Sequence, residues 1–183
     1  MIIVCSDIHG RVSSIDLLEE KIKKYRPTKI ICLGDFLYNG PRNGVPKDYD
    51  PAYVYKKLNL YADLIIGIRG NCDALIDESL LRFKLKDKVK IKIGGVSYLL
   101  IHGHKLNSMT LDELRRKEVL CFGHTHIYKL EVKNNILYFN PGSISFPKNE
   151  NPRTYAIIDD GVIKILDLVT DKTIQEINTR NIF

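Results

Sequence analysis

The sequence predicts an α/β protein in which two mixed β-sheets pack face to face with helices outside. Two observations carry this. The first third of the chain alternates strand and helix, whereas the second half is a series of hairpins separated by a short helical segment. A doubly wound sheet would instead continue the alternation to the end.

The elements follow in order. "MIIVCS" reads as a buried strand, and "SIDLLEEKIKKY" places Ile15, Leu18 and Ile22 at helical spacing after Ser13, the expected N-cap. "TKIICLGD" is a second strand, which completes a βαβ unit. A loop rich in Gly, Pro and Asn, "NGPRNGVPKDYDP", leads to a helix over "AYVYKKLNLYA" and a third strand in "DLIIGIRGN". These three strands should be parallel and central. Beyond them, Gly94-Gly95, Asn134-Asn135 and Asp160-Gly161 each mark a hairpin turn, and "TLDELRRKE" predicts a short helix leading into "VLCFGHTH".

The 183 residues, 44% of them hydrophobic, can bury one core, so a single domain over 1–183 is expected. No run approaches the roughly 18 to 20 apolar residues of a membrane span. The N-terminal stretch meets Asp7 before a secretory core could form, so the expected setting is the cytoplasm, with no membrane partner. Four widely spaced cysteines lack the CxxC pairing of a structural zinc site. The net charge of +6 allows a nucleic-acid partner, but the lysines are dispersed in "EEKIKKYR" and "KLKDKVKIK" as on solvated faces, so that partner is not favoured.

All five histidines fall in three short segments, "SDIHG", "IHGH" and "GHTH", and each segment follows a strand. Asp35 in "LGD" and Asn71 in "RGN" also follow strands. Five strand ends can therefore deliver polar groups to one edge of the core. In extended chain, residues two apart share a side, so Asp7 with His9, and His124 with His126, should converge. Asp7, His9, Asp35, Asn71, His102, His124 and His126 exceed the donors of one open tetrahedral site, and two adjacent metals bridged by Asp35 would use all seven. Carboxylate, amide and imidazole without thiolate suit manganese, iron, zinc or nickel. Such a site would attract phosphate and activate a hydroxide.

"DIH", "GD", "GN", "HGH" and "GHTH", in this order, resemble the calcineurin-like metallophosphoesterases through the whole chain. "LGDFLYNGPRN", "RGNCD" and "FNPGSISFPK" are similar to the small YfcE-type phosphodiesterases within them. The resemblance implies a four-layer α/β/β/α sandwich and a di-metal centre, with manganese the expected ion. The first metal would take Asp7, His9, Asp35 and His126. The second would take Asp35, Asn71, His102 and His124. The implied activity is hydrolysis of a small phosphodiester by a hydroxide that two metals activate, and a homo-oligomer is compatible with the resemblance. Two alternatives belong to the same fold: a nuclease, and a non-catalytic scaffold like the retromer subunit, which should have lost its ligands.

Many relatives have "GNH", whose histidine is assigned to the leaving group or the phosphate; here that position is Cys72, a weak hydrogen-bonding group. His104 is read either as a support for a ligand or as a turn residue. Arg42 is read either as a clamp for phosphate or as a solvated arginine of its loop. Asp73 is read first as a helix cap and second as orienting a ligand, and "NPGS" as a turn close to the metals.

Overall fold

A computed structural model describes residues 1–108 and 118–183. The parallel unit comprises β1 (Ile2–Cys5), β2 (Lys29–Cys32), β3 (Ile65–Ile68) and the two-residue β4 (Leu85–Lys86). On its other side β1 pairs antiparallel with β10 (Thr154–Asp159), followed by β11 (Val162–Asp167) and β12 (Thr173–Asn178). The resulting seven-stranded sheet runs β12-β11-β10-β1-β2-β3-β4, with the expected parallel strands in and beside its centre. A second sheet comprises β5 (Lys88–Ile93), β6 (Val96–Ile101), β7 (Glu118–Cys121), β8 (Lys129–Lys133) and β9 (Ile136–Asn140), in the order β5-β6-β7-β9-β8. All three hairpin turns join the pairs that the sequence indicated.

The layers follow from period-two burial. On β1, Ile3 and Cys5 face α1 (Val12–Tyr25) and α2 (Pro51–Asn59), while Val4 faces the other sheet. Val4, Ile31, Leu33 and Ile68 meet Tyr98, Leu100, Val119, Cys121, Leu137 and Phe139 in the core between the sheets. Leu99, Leu120 and Phe122 form a further cluster on the second sheet's other face. Burying each such side chain contributes about 1.5–3 kcal/mol, so strand register is strongly specified.

One local expectation changes. α1 starts at Val12 rather than after Ser13, and its first-turn N–H at Ser13 donates 3.1 Å to Asp48 Oδ2 from the loop before α2. The cap is therefore tertiary, supplied 35 residues away. The helix expected over "TLDELRRKE", residues 110–118, lies outside the described residues apart from Glu118, which opens β7. No described helix is long and apolar enough to cross a membrane.

Candidate metal centre

The parallel strands β1, β2 and β3 of one sheet, and β6 and β7 of the other, end at a common edge and deliver the candidate donors. Backbone bonds lace the loops together: Asp7 N–H to Gly34 O at 3.0 Å, His9 N–H to Asp35 O at 2.9 Å, and Gly123 N–H to His102 O at 2.8 Å. His9, Asp35, Asn71, Cys72, His124 and His126 line one cavity of about 320 Å³, whose rim includes Arg42 and Lys148.

The pairs Asp7/His9 and His124/His126 do converge, but not by strand alternation. Asp7 (φ 57°), His9 (φ 52°), Asp35 (φ 58°), His124 (φ 64°) and His126 (φ 61°) all lie in the left-handed region, which costs non-glycine residues energy. The convergence comes from tight turns beyond the strands, held by their surroundings. Ser143 Oγ donates to Asp7 O at 3.0 Å and Ser145 Oγ to Ile8 O at 2.6 Å, so the "NPGS" turn does support this end of the site. Gly70 has to be glycine: a Cβ there would lie 2.9 Å from Asp35 Cγ and closer still to Asp35 Oδ1 and N.

Backbone carbonyls orient three imidazoles. His9 Nδ1 donates to Tyr38 O at 2.8 Å, His102 Nδ1 to Leu33 O at 2.6 Å and His126 Nδ1 to Phe146 O at 2.6 Å. A carbonyl only accepts, so each neutral ring turns its Nε2 lone pair into the centre. There, His9 Nε2 and His126 Nε2 stand 3.3 Å apart. Asp7 Oδ1 lies 3.3 Å from His126 Nε2 and 3.8 Å from His9 Nε2, fully buried and, among the described residues, without a hydrogen-bond donor. Three acceptors facing one another lack a positive charge between them, and a divalent cation fits this need.

Asp35 connects this cluster to a second one. Its Oδ2 is 3.6 Å from His9 Nε2 and 3.4 Å from His102 Nε2, and Asn71 Oδ1 is 3.1 Å from His102 Nε2. Asn71 Nδ2 donates to Cys72 Sγ at 3.2 Å, which turns the amide oxygen toward His102. His124 stands beside His102, with ring centroids 5.2 Å apart, and its N–H donates to Asp7 Oδ2 at 3.1 Å. Ligand atoms of Asp7, His9 and His126, and likewise of Asp7, Asp35 and His102, lie within 4.8 Å of one another.

The electrostatics fit a cation site. Burial would raise the Asp35 carboxyl, but the hydrogen bond and charge of His102 hold it well below the usual carboxylate range. Burial pulls His102 down, yet Asp35 and Asp7 push it up to about 9, so the two carboxylates favour positive charge at this point, as a cation site requires. Burial lowers His9 and His124.

Asp73 is not the cap of α3 (Leu75–Leu80); Asp77 accepts the Ala74 N–H instead. The Asp73 carboxylate takes the N–H groups of Asp35 at 2.9 Å, Phe36 at 2.7 Å and Gly70 at 2.7 Å, and so fixes the backbone of the shared ligand. Burial pushes Cys72 up to about 12, with the Asp35 charge adding to the rise, so it stays a thiol. His104 lines a neighbouring cavity with Arg69 and Lys105, its ring 5.6 Å from that of His102. Lys148 was not indicated by the sequence, where "FPKNE" looks like any exposed turn.

Residues 1–160 match the family model of the calcineurin-like phosphoesterase superfamily domain. The chain belongs to this superfamily. It is 35% identical over 173 residues to the phosphodiesterase YfcE of Escherichia coli K12, covering 94% of both chains. The structure of the E. coli phosphoesterase Yfce superposes with a TM-score of 0.90 at 33% identity, covering 97% of this chain and 98% of the other. Vacuolar protein sorting 29 of Cryptosporidium parvum shares the fold alone, at 17% identity and a TM-score of 0.65 over 97% of each chain. This phosphoesterase therefore has the metallophosphoesterase architecture expected from its motifs, with Asp and His clusters suited to divalent ions.

Proposed function

We propose that the chain is a phosphodiesterase that works with two divalent ions, manganese foremost, with nickel, iron or zinc as alternatives. The carrying observation is the set of confronted acceptors at His9, His126 and Asp7, joined through Asp35 to His102 and Asn71. In this reading Asp7, His9, Asp35 and His126 hold the first ion, and Asp35, Asn71, His102 and His124 hold the second. Bound ions supply Lewis-acid polarisation of the phosphoryl group and acidify the attacking water.

The protein's own groups complete the task. Arg42 and Lys148 on the rim can hold phosphate oxygens. Cys72 beside Asn71 is a weak hydrogen-bond donor, which favours alcohols that leave without a protein acid. His104 steadies the rings of His102 and His124 from the side, at 5.6 and 6.2 Å between centroids. The intact donor set supports an enzyme over a scaffold, and the small cavity supports a small diester over a nucleic acid. A cytoplasmic setting belongs to the same reading, on composition alone.

The test is hydrolysis of diesters and monoesters by chelator-treated protein, before and after adding each ion. Metal-dependent diester turnover is expected. Full activity of the rigorously metal-free protein would contradict the reading.

A further inference from the structure

Beside the candidate metal cavity lies a second hollow, of about 400 Å³ and opposite character. Tyr38, Tyr49 and Tyr55 line it together with Pro51 and Leu80, and Cys72 belongs to the walls of both hollows. Tyr38 links them a second time, because its carbonyl accepts the His9 Nδ1–H while the residue, 47% exposed, also lines the trough.

We propose that this trough is the leaving-group subsite of the phosphodiesterase read above, and that it takes a flat, uncharged aromatic ring bonded through oxygen to phosphorus. The inference rests on that reading of the metal centre. Three tyrosine rings offer offset-stacked and edge contacts to a ring of this kind. Asp77, the one charged group among the described lining residues, would repel a second phosphate or a carboxylate. Arg42 and Lys148 lie on the other hollow, so cationic and apolar ends are divided at Cys72. In the reaction, the water oxygen bonds to phosphorus and loses a proton to solvent. The bond from phosphorus to the aryl oxygen breaks, and the aryl oxide leaves with the electron pair along the trough.

The experiment uses the metal-loaded protein and two methyl aryl phosphates whose phenols have similar acidity, one with a phenyl ring and one with a naphthyl ring. The naphthyl ester should have a kcat/KM roughly tenfold higher, mostly through KM, the order that burying one more ring provides. Tyr38→Ala keeps the backbone carbonyl on His9 and should bring the ratio of the two kcat/KM values towards one, with bound metal unchanged. Ala52→Phe, at an exposed position on the trough wall, should fill the space and invert the preference. Turnover of both esters at a ratio that neither substitution alters overturns the subsite alone. If the metal-loaded wild type turns over neither ester, the reading of the metal centre falls and the subsite falls with it.

Discussion

His9 Nε2 and His126 Nε2 face each other across 3.3 Å, each ring pinned from behind by a backbone carbonyl. Two opposed lone pairs beside a buried carboxylate oxygen that has no donor among the described residues are unfavourable in the metal-free protein and favourable around a cation. Adding manganese to chelator-treated protein should therefore raise its melting temperature, with about 2.7 kcal/mol of stabilisation at a hundredfold excess over Kd. His126→Ala should lose most of the shift contributed by this cluster. Differential scanning calorimetry at several ion concentrations checks it; a shift unaltered in the variant would remove His126 from the ligands.

Gly70 packs directly on the carboxylate that the two clusters share. Gly70→Ala would place a methyl group against Asp35 Oδ1 and N, so the chain must move. The expected result is a loss of about 1–3 kcal/mol in urea unfolding, typical of overpacking, together with weaker metal binding. A variant with wild-type stability and affinity would show that this loop yields without consequence.

Asp73 acts on the site through the backbone. Its carboxylate accepts from Asp35, Phe36 and Gly70 N–H groups, and an amide at this position would accept fewer and bring its own donors against them. Asp73→Asn should weaken metal affinity by about 10- to 100-fold, as loss of an outer support commonly does. Isothermal titration with manganese reads this out, and unchanged affinity would reduce Asp73 to a loop brace.

The parts of this arrangement legible in the sequence were those with local chemistry. Hairpin turns declared themselves through Gly, Asn and Asp, and the donors through histidines gathered beside glycines. What stayed hidden depended on partners far along the chain. Asp48 meets the first turn of α1 from a separate loop, and Asp73 reaches back 38 residues to Asp35, so neither carries a local pattern. The left-handed backbone at Asp7, His9, Asp35, His124 and His126 is imposed by packing against side-chain preference, so extended-chain geometry found the right pairs by the wrong route. β12, "TIQEIN", lies at the sheet edge with little burial, and its pattern is correspondingly weak.

Asp171 ties the turn before β12 to α1 and supplies a pH dependence remote from the metals. Its carboxylate receives Lys24 Nζ at 2.5 Å, Tyr25 OH at 3.0 Å and the Tyr155 hydroxyl. Burial would raise it, but Lys24 and the two tyrosines lower it further. A carboxyl depressed in the folded state contributes stability above its unfolded pKa, and that contribution is lost as pH falls through the folded value. Asp171→Asn, which tolerates the local φ of 63°, should cost about 1–3 kcal/mol at pH 7 and flatten the acid limb of stability below about pH 4. Urea unfolding between pH 3 and 7 compares the two proteins; parallel curves would contradict the assignment.

The central claim is that Asp35 is common to two ion sites, one built with His126 and the other with His124. The most direct measurement is the number of divalent ions bound per chain, by elemental analysis after reconstitution and desalting. Wild type should hold two, His126→Ala and His124→Ala one each, and Asp35→Asn close to none, because an amide cannot bridge two cations as a carboxylate does. Two ions retained by Asp35→Asn with unaltered affinity would contradict the account.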